Sequence, residues 1–133
     1  RRAAWCARGA FLIELDGSLW MPGRRGETEA GLYRLRAGTT QVERVPVDIS
    51  PQCALAHEGY LWIGTAEGLV RLDPKTYRQR ALSAREGYCG GNATALAVRG
   101  DTLWVASGLG VTRVTVAEFE RRAKRVAPKG RAS

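Results

Sequence analysis

The stretch "LWIGTAEGLVRLDPKT", residues 61–76, holds two short apolar runs, 61–63 and 68–72, set apart by glycines and closed by Asp-Pro. Leu61, Trp62 and Ile63 are apolar at consecutive positions, so a strand here has both of its faces covered, and the glycines permit the bend that brings a second strand back beside it. The opening Leu-Trp pair occurs twice more, as Leu19-Trp20 and Leu103-Trp104, with successive tryptophans 42 residues apart. A downstream pattern repeats as well: "GLYRL" at 31–35, "GLVRL" at 68–72 and "GVTRV" at 110–114. Arg71 and Arg113 each follow their tryptophan by nine residues and Arg34 by fourteen, so the first unit carries a five-residue insertion within "GRRGETEAG".

Around Trp62 the chain divides into four strands, at about 53–57, 60–64, 68–72 and 77–82, with turns at Gly59, Glu67-Gly68 and Asp73-Pro74. Four-stranded units at a period of roughly 40 to 45 residues, each unable to bury both faces alone, are the pattern of β-propeller blades. The expected fold is therefore all-β: a single β-propeller segment over 1–133, of three four-stranded blades at about 10–46, 53–83 and 93–127, with a basic C-terminal tail at 121–133. Each repeated tryptophan is expected between neighbouring sheets. Arg34, Arg71 and Arg113 are expected to be framework residues that bridge to an adjacent strand or carbonyl. The run after Phe119 is expected to form an outer strand that stops at Pro128. A closed propeller needs about four or more blades. Three predict half of a six-bladed propeller, completed by another copy of itself, or part of a larger one, completed by the remaining blades of a parent chain.

The segments "DGSLW…GLYRL", "EGYLWIGTAEGLVRLDPKT" and "NATALAVRGDTLWVASGLGVTRV" resemble the bacterial two-component-regulator propeller repeat, over most of residues 10–116. The middle copy is close; the third has Ala106-Ser107 in place of Gly-Thr, and the first has Met21-Pro22 there. The resemblance implies a propeller of the kind often found as a sensor region attached to signalling modules. It implies a bacterial source and leaves periplasm and cytoplasm both open.

The chain of 133 residues has 44% hydrophobic residues and a net charge of +8, and "RRAKRVAPKGRAS" at 121–133 supplies six of the basic side chains. A basic run attracts polyanions by charge alone. The lack of interleaved aromatics argues against nucleic acid as a specific partner. Three cysteines, Cys6, Cys53 and Cys89, form no CxxC pair, so free thiols are favoured over a disulfide framework and no zinc site is indicated. No apolar run is long enough for a membrane span and none reads as a signal segment.

Motifs for catalysis are thin. The sole histidine, His57, precedes Leu61-Trp62 without a nucleophile, metal or phosphate motif. The expected function is non-catalytic recognition or scaffolding, with no cofactor and no metal; the alternatives are a propeller lyase or hydrolase using His57, and a purely self-assembling half-propeller. Candidate binding positions lie on the loops that enter each unit. Trp5-Cys6 and Tyr88-Cys89 occupy equivalent places once one extra residue is allowed in "RGDT", and Val47-Asp48 stands there in the middle unit. An aromatic ring beside a small polar or polarizable group there is suited to a protein or small-molecule ligand, or to packing under the loop. Arg24 and Arg25, placed by the insertion on a loop of the first unit, complete the candidates.

Overall fold

The computed structural model describes residues 11–25 and 29–126; Trp5 and Cys6 lie outside them. Three antiparallel sheets follow one another along the chain. The first contains β1 (Ile13–Leu15), β2 (Ser18–Arg25), β3 (Glu29–Arg36) and β4 (Glu43–Arg44), paired in that order. The middle sheet is built from β5 (Cys53–His57), β6 (Tyr60–Gly64), β7 (Gly68–Leu72) and β8 (Gln79–Ser83), and the third from β9 (Ala93–Arg99), β10 (Thr102–Ser107) and β11 (Gly110–Thr115). Helix α1 (Val116–Arg122) comes next, and β12 (Lys124–Arg125) then pairs with β8 as a fifth strand of the middle sheet. The architecture is mostly β, and no sheet closes on itself among the described residues.

Local chemistry accounts for the hairpins. Asp16-Gly17 and Glu58-Gly59 both take positive φ at both positions, the two-residue turn whose twist matches that of the flanking strands. The Thr65 hydroxyl accepts the backbone N–H groups of Glu67 and Gly68, which closes the β6–β7 turn. Ser107 stands at the matching place in the third sheet, where its hydroxyl accepts from Leu109 N–H and lies within hydrogen-bond distance of the Gly90 and Gly110 carbonyls. The change from Gly-Thr to Ala-Ser therefore keeps the hydroxyl that the turn uses. At the next turn Asp73 Oδ1 accepts from Lys75 and Thr76 N–H, a side-chain turn that explains "DPKT".

Alternation along β6 divides the core. Leu61 and Ile63 pack with Trp20, Leu32, Val45, Val70 and Leu72 between the first and middle sheets. Trp62 turns the other way and packs with Leu69, Leu82, Tyr88, Leu103, Val105, Val114 and Phe119 between the middle and third sheets. The middle sheet is thus covered on both faces, as its unalternating apolar run requires. Successive sheets approach through their first strands, β1 beside β5 and β5 beside β9.

Four expectations need correction. Among the described residues, which end at 126 and leave out Pro128, the run after Phe119 supplies no outer strand to the third sheet. Thr115 caps α1 by accepting from Glu118 N–H, the Glu118 carboxylate accepts from Thr115 N–H, and good helix formers follow, so 116–122 form a helix, and Lys124 and Arg125 then pair with the middle sheet. The insertion in the first unit lengthens a hairpin: Arg24 and Arg25 are the last residues of β2, opposite Ala30 and Glu29, because added residues pair when the register can continue. The extra residue before Trp104 is not in "RGDT", where Gly100-Asp101 is again a two-residue turn, with positive φ at Gly100 alone. It is a bulge in β9, where Ala95 faces Ala106 but Ala93 faces Ser107. Finally, Trp104 is not wedged between sheets; it is 41% exposed.

Candidate interaction face

Each repeated tryptophan lies directly opposite its repeated arginine on the neighbouring strand: Trp20 with Arg34, Trp62 with Arg71 and Trp104 with Arg113. Cross-strand partners on one face have their Cβ atoms about 5 Å apart, so a guanidinium reaches the indole by straightening along it. Arg34 stands 4.5 Å from the Trp20 ring centre, Arg71 5.6 Å from that of Trp62, and Arg113 5.8 Å from that of Trp104. Two of the indole N–H groups also donate five residues back, Trp20 to the Leu15 carbonyl and Trp62 to the His57 carbonyl.

What covers these pairs is repeated too. Tyr77 follows Arg71 by six residues and sets its ring edge-on to Trp20, 6.4 Å between centres. Phe119 follows Arg113 by six and sets its ring edge-on to Trp62 at 4.8 Å. The arginine of one unit then bonds to the segment carrying the next unit's aromatic. Arg34 donates to the Pro74 carbonyl and the Tyr77 hydroxyl. Arg71 donates to the Glu120 carboxylate, which this hydrogen bond and the guanidinium charge hold below the usual glutamate range. Both arginines are buried, and the framework role expected for Arg34 and Arg71 is what the contacts describe. Arg80 supports the second joint from beside Arg71, donating to the Glu120 and Ala123 carbonyls at the end of α1.

The third copy of this half-joint is open. Trp104, Val111 and Arg113 occupy the places of Trp62, Leu69 and Arg71, yet Val111 is 61% exposed and Arg113 is exposed beside Trp104. Ala95, Ala97 and Ala106 flank them on the same face by register, and Leu109, at 72%, extends the apolar rim.

The loop candidates behave differently. Tyr88 and Val47 fill matching places in the two joints, both buried, and the Tyr88 hydroxyl donates to the Gly91 carbonyl. The residues that follow them, Asp48 and Cys89, are exposed. Asp48 borders a groove of about 360 Å³ with Ser50, Thr65 and Glu67. Cys89 is fixed by its own N–H, which donates to the Thr112 hydroxyl. The structure therefore separates the apolar member of each pair, Val47 or Tyr88, which packs, from its polar neighbour, which is exposed. Cys53 and Cys89 are free thiols, and burial pushes the Cys53 thiol up to about 11. His57 has its Nε2 buried with no hydrogen-bond partner, 3.8 Å from Glu58 Oε2.

The basic end of the chain is partly structural. Lys124 pairs with Glu86 at 3.6 Å, and Arg121 and Arg122 occupy the last turn of α1, where positive charge favours the helix dipole. Among the described residues no helix is long and apolar enough to cross a membrane, and no group of three His, Cys, Asp or Glu side chains is placed to hold a metal ion. Two features were readable beforehand and were missed: the Thr115-x-x-Glu118 capping box, and the aromatic six residues after Arg71 and Arg113. Compared with known proteins, the chain matches no family model, no curated protein and no solved structure.

Proposed function

We propose that the three sheets are successive blades of a β-propeller of the two-component-regulator type, and that the chain is a non-catalytic recognition or scaffolding module. The observation that carries this reading is the joint built twice from the same parts: tryptophan and arginine on one sheet, an aromatic and a hydrogen-bond acceptor from the next. A joint that repeats between units is the property of a stacked array. The approach of sheets through their first strands agrees with strands grouped around one axis.

On this reading the exposed polar positions beside the joints, Asp48 and Cys89, are the contact points for a ligand or protein, and the buried side chains of Val47 and Tyr88 hold the loops that present them. The lyase or hydrolase alternative rests on His57. Its Nε2 is buried without a hydrogen-bond partner, 3.8 Å from the Glu58 carboxylate, and a general base must reach the proton that it takes. Wild type and His57→Ala should show no His57-dependent turnover on ester or elimination substrates. A drop of about a hundredfold in kcat/KM on removing the histidine, the scale of general acid–base catalysis, would overturn the non-catalytic reading.

A further inference from the structure

We propose that the groove along the β8–β12 edge of the middle sheet binds a small diphosphate ligand, held by Arg80, Arg125 and Arg78. The groove belongs to the middle sheet and does not depend on the propeller reading.

Register gathers the charge. Arg71 on β7 lies opposite Arg80 on β8, and Arg80 lies opposite Arg125 on β12, so three arginines form one row across three strands on the same face. Like charges directly opposite one another destabilise a sheet. The first sheet avoids this: Arg34 faces Glu43, which stands nine residues on, in the place that Arg80 takes after Arg71. In the middle sheet one carboxylate answers three guanidinium groups, because Glu120 pairs with Arg71 and its charge also reaches Arg80. Arg80 donates from Nη2 to the Glu120 and Ala123 carbonyls, which carry no full charge, and its Nε is buried with no hydrogen-bond partner. Arg125 is exposed and has no ion-pair partner among the described residues.

The row borders a groove of about 770 Å³, which exposed Arg78 also lines. Among the described residues Asp73 is the one acid on its wall, and Asp73 Oδ1 already accepts from Lys75 and Thr76 N–H. The counter-charge must therefore come from outside, as a compact anion with more than one charge. A guanidinium fork takes the oxygens of a phosphate in pairs, and side chains that start about 5 Å apart on neighbouring strands can close on one such group. The row spans two strand separations, about 10 Å, and ends inward at buried Trp62, opposite Arg71. That length suits a short ligand and gives no track to a polymer backbone. The adjoining groove beside Asp48 and Glu67 has no basic residue on its wall, so an anion is drawn to the arginine side alone.

Calorimetric titration of the full chain with inorganic pyrophosphate, at about 0.15 M salt to screen diffuse attraction, tests this. Wild type should bind, and pyrophosphate should raise its urea midpoint by linkage. Arg125→Ala should weaken binding about tenfold, the scale of one charge-assisted hydrogen bond, and Arg78→Ala by a smaller factor. Arg99→Ala removes an exposed arginine from β9, away from the groove, and should leave the affinity unchanged. Titration with ADP separates a nucleoside diphosphate, which would bind more tightly than pyrophosphate, from the free ion, which would bind as tightly or more so; both support the proposal. No binding by wild type overturns it. So does an equal loss in Arg99→Ala, which would mean attraction to the net positive charge of the chain. Single-stranded DNA that binds more tightly than either probe and is weakened by Arg125→Ala would place a nucleic-acid backbone in the groove and overturn it too. If Arg125→Ala melts early, Arg78→Ala decides, since residue 78 is exposed and outside the strands, and unchanged affinity there overturns the proposal.

Discussion

Trp62 and Trp104 share a local sequence, a strand position and an arginine partner, and differ in everything that lies above them. Trp62 is fully buried under Phe119 and the third sheet, while Trp104 is 41% exposed. The same difference separates Leu69 from Val111 and Arg71 from Arg113. Local pairing is thus complete within each sheet, and burial is conferred by the next unit. A repeat of this kind is stable through its joints more than through its sheets.

The sharpest way to break this comparison is a pair of truncations. Trp62→Ala should cost about 3 to 5 kcal/mol and Trp104→Ala about 1 kcal/mol or less, measured as isolated monomers in urea melts, because only the first leaves a cavity. Equal losses would mean that the indoles serve their own sheet. Phe119→Ala comes next, at about 3 kcal/mol for a buried ring. It should also shift Trp62 fluorescence toward that of an exposed indole, and leaving both unchanged would remove α1 from the joint.

The arginines give a smaller contrast. Arg71→Ala should cost about 1 to 2 kcal/mol, because it strips a partner from Glu120 and a cation from three rings. Arg113→Ala should be close to neutral in the monomer. The smallest effect is in pH. The Glu120 carboxyl is lowered in the folded chain, so its contribution is present above the ordinary glutamate range and fades as pH falls through the lowered value. Because Glu120 is half exposed, the effect is small and screened by salt. Between neutral pH and about pH 3 the urea midpoint should fall slightly further in wild type than in Glu120→Gln, and equal falls would mean that the pair is inert.

Much of the fold was legible because it is local. The turns at Gly59 and Asp73 and the non-alternating run at Leu61 place β5 to β8 within two residues of where they are found. The binding candidates were less legible. Val47 and Tyr88 were correctly aligned as equivalents, but which member of each pair faces solvent depends on the core beneath the loop. The residue that keeps them aligned, a bulge in β9, has no marker in the sequence.

By itself the sequence determined the strands of the middle sheet and the turns at Gly59, Glu67-Gly68 and Asp73-Pro74 that join them, since these follow from turn chemistry and apolar patterning over a few residues. Only the tertiary structure decided that 124–125 would pair with β8 in place of extending the third sheet, and that Phe119 would close the second joint from a helix. It alone decided that Trp104 would stand open. Those outcomes depend on which apolar surface lies within reach once the sheets have stacked, and a repeat that is written alike in each unit does not contain that information.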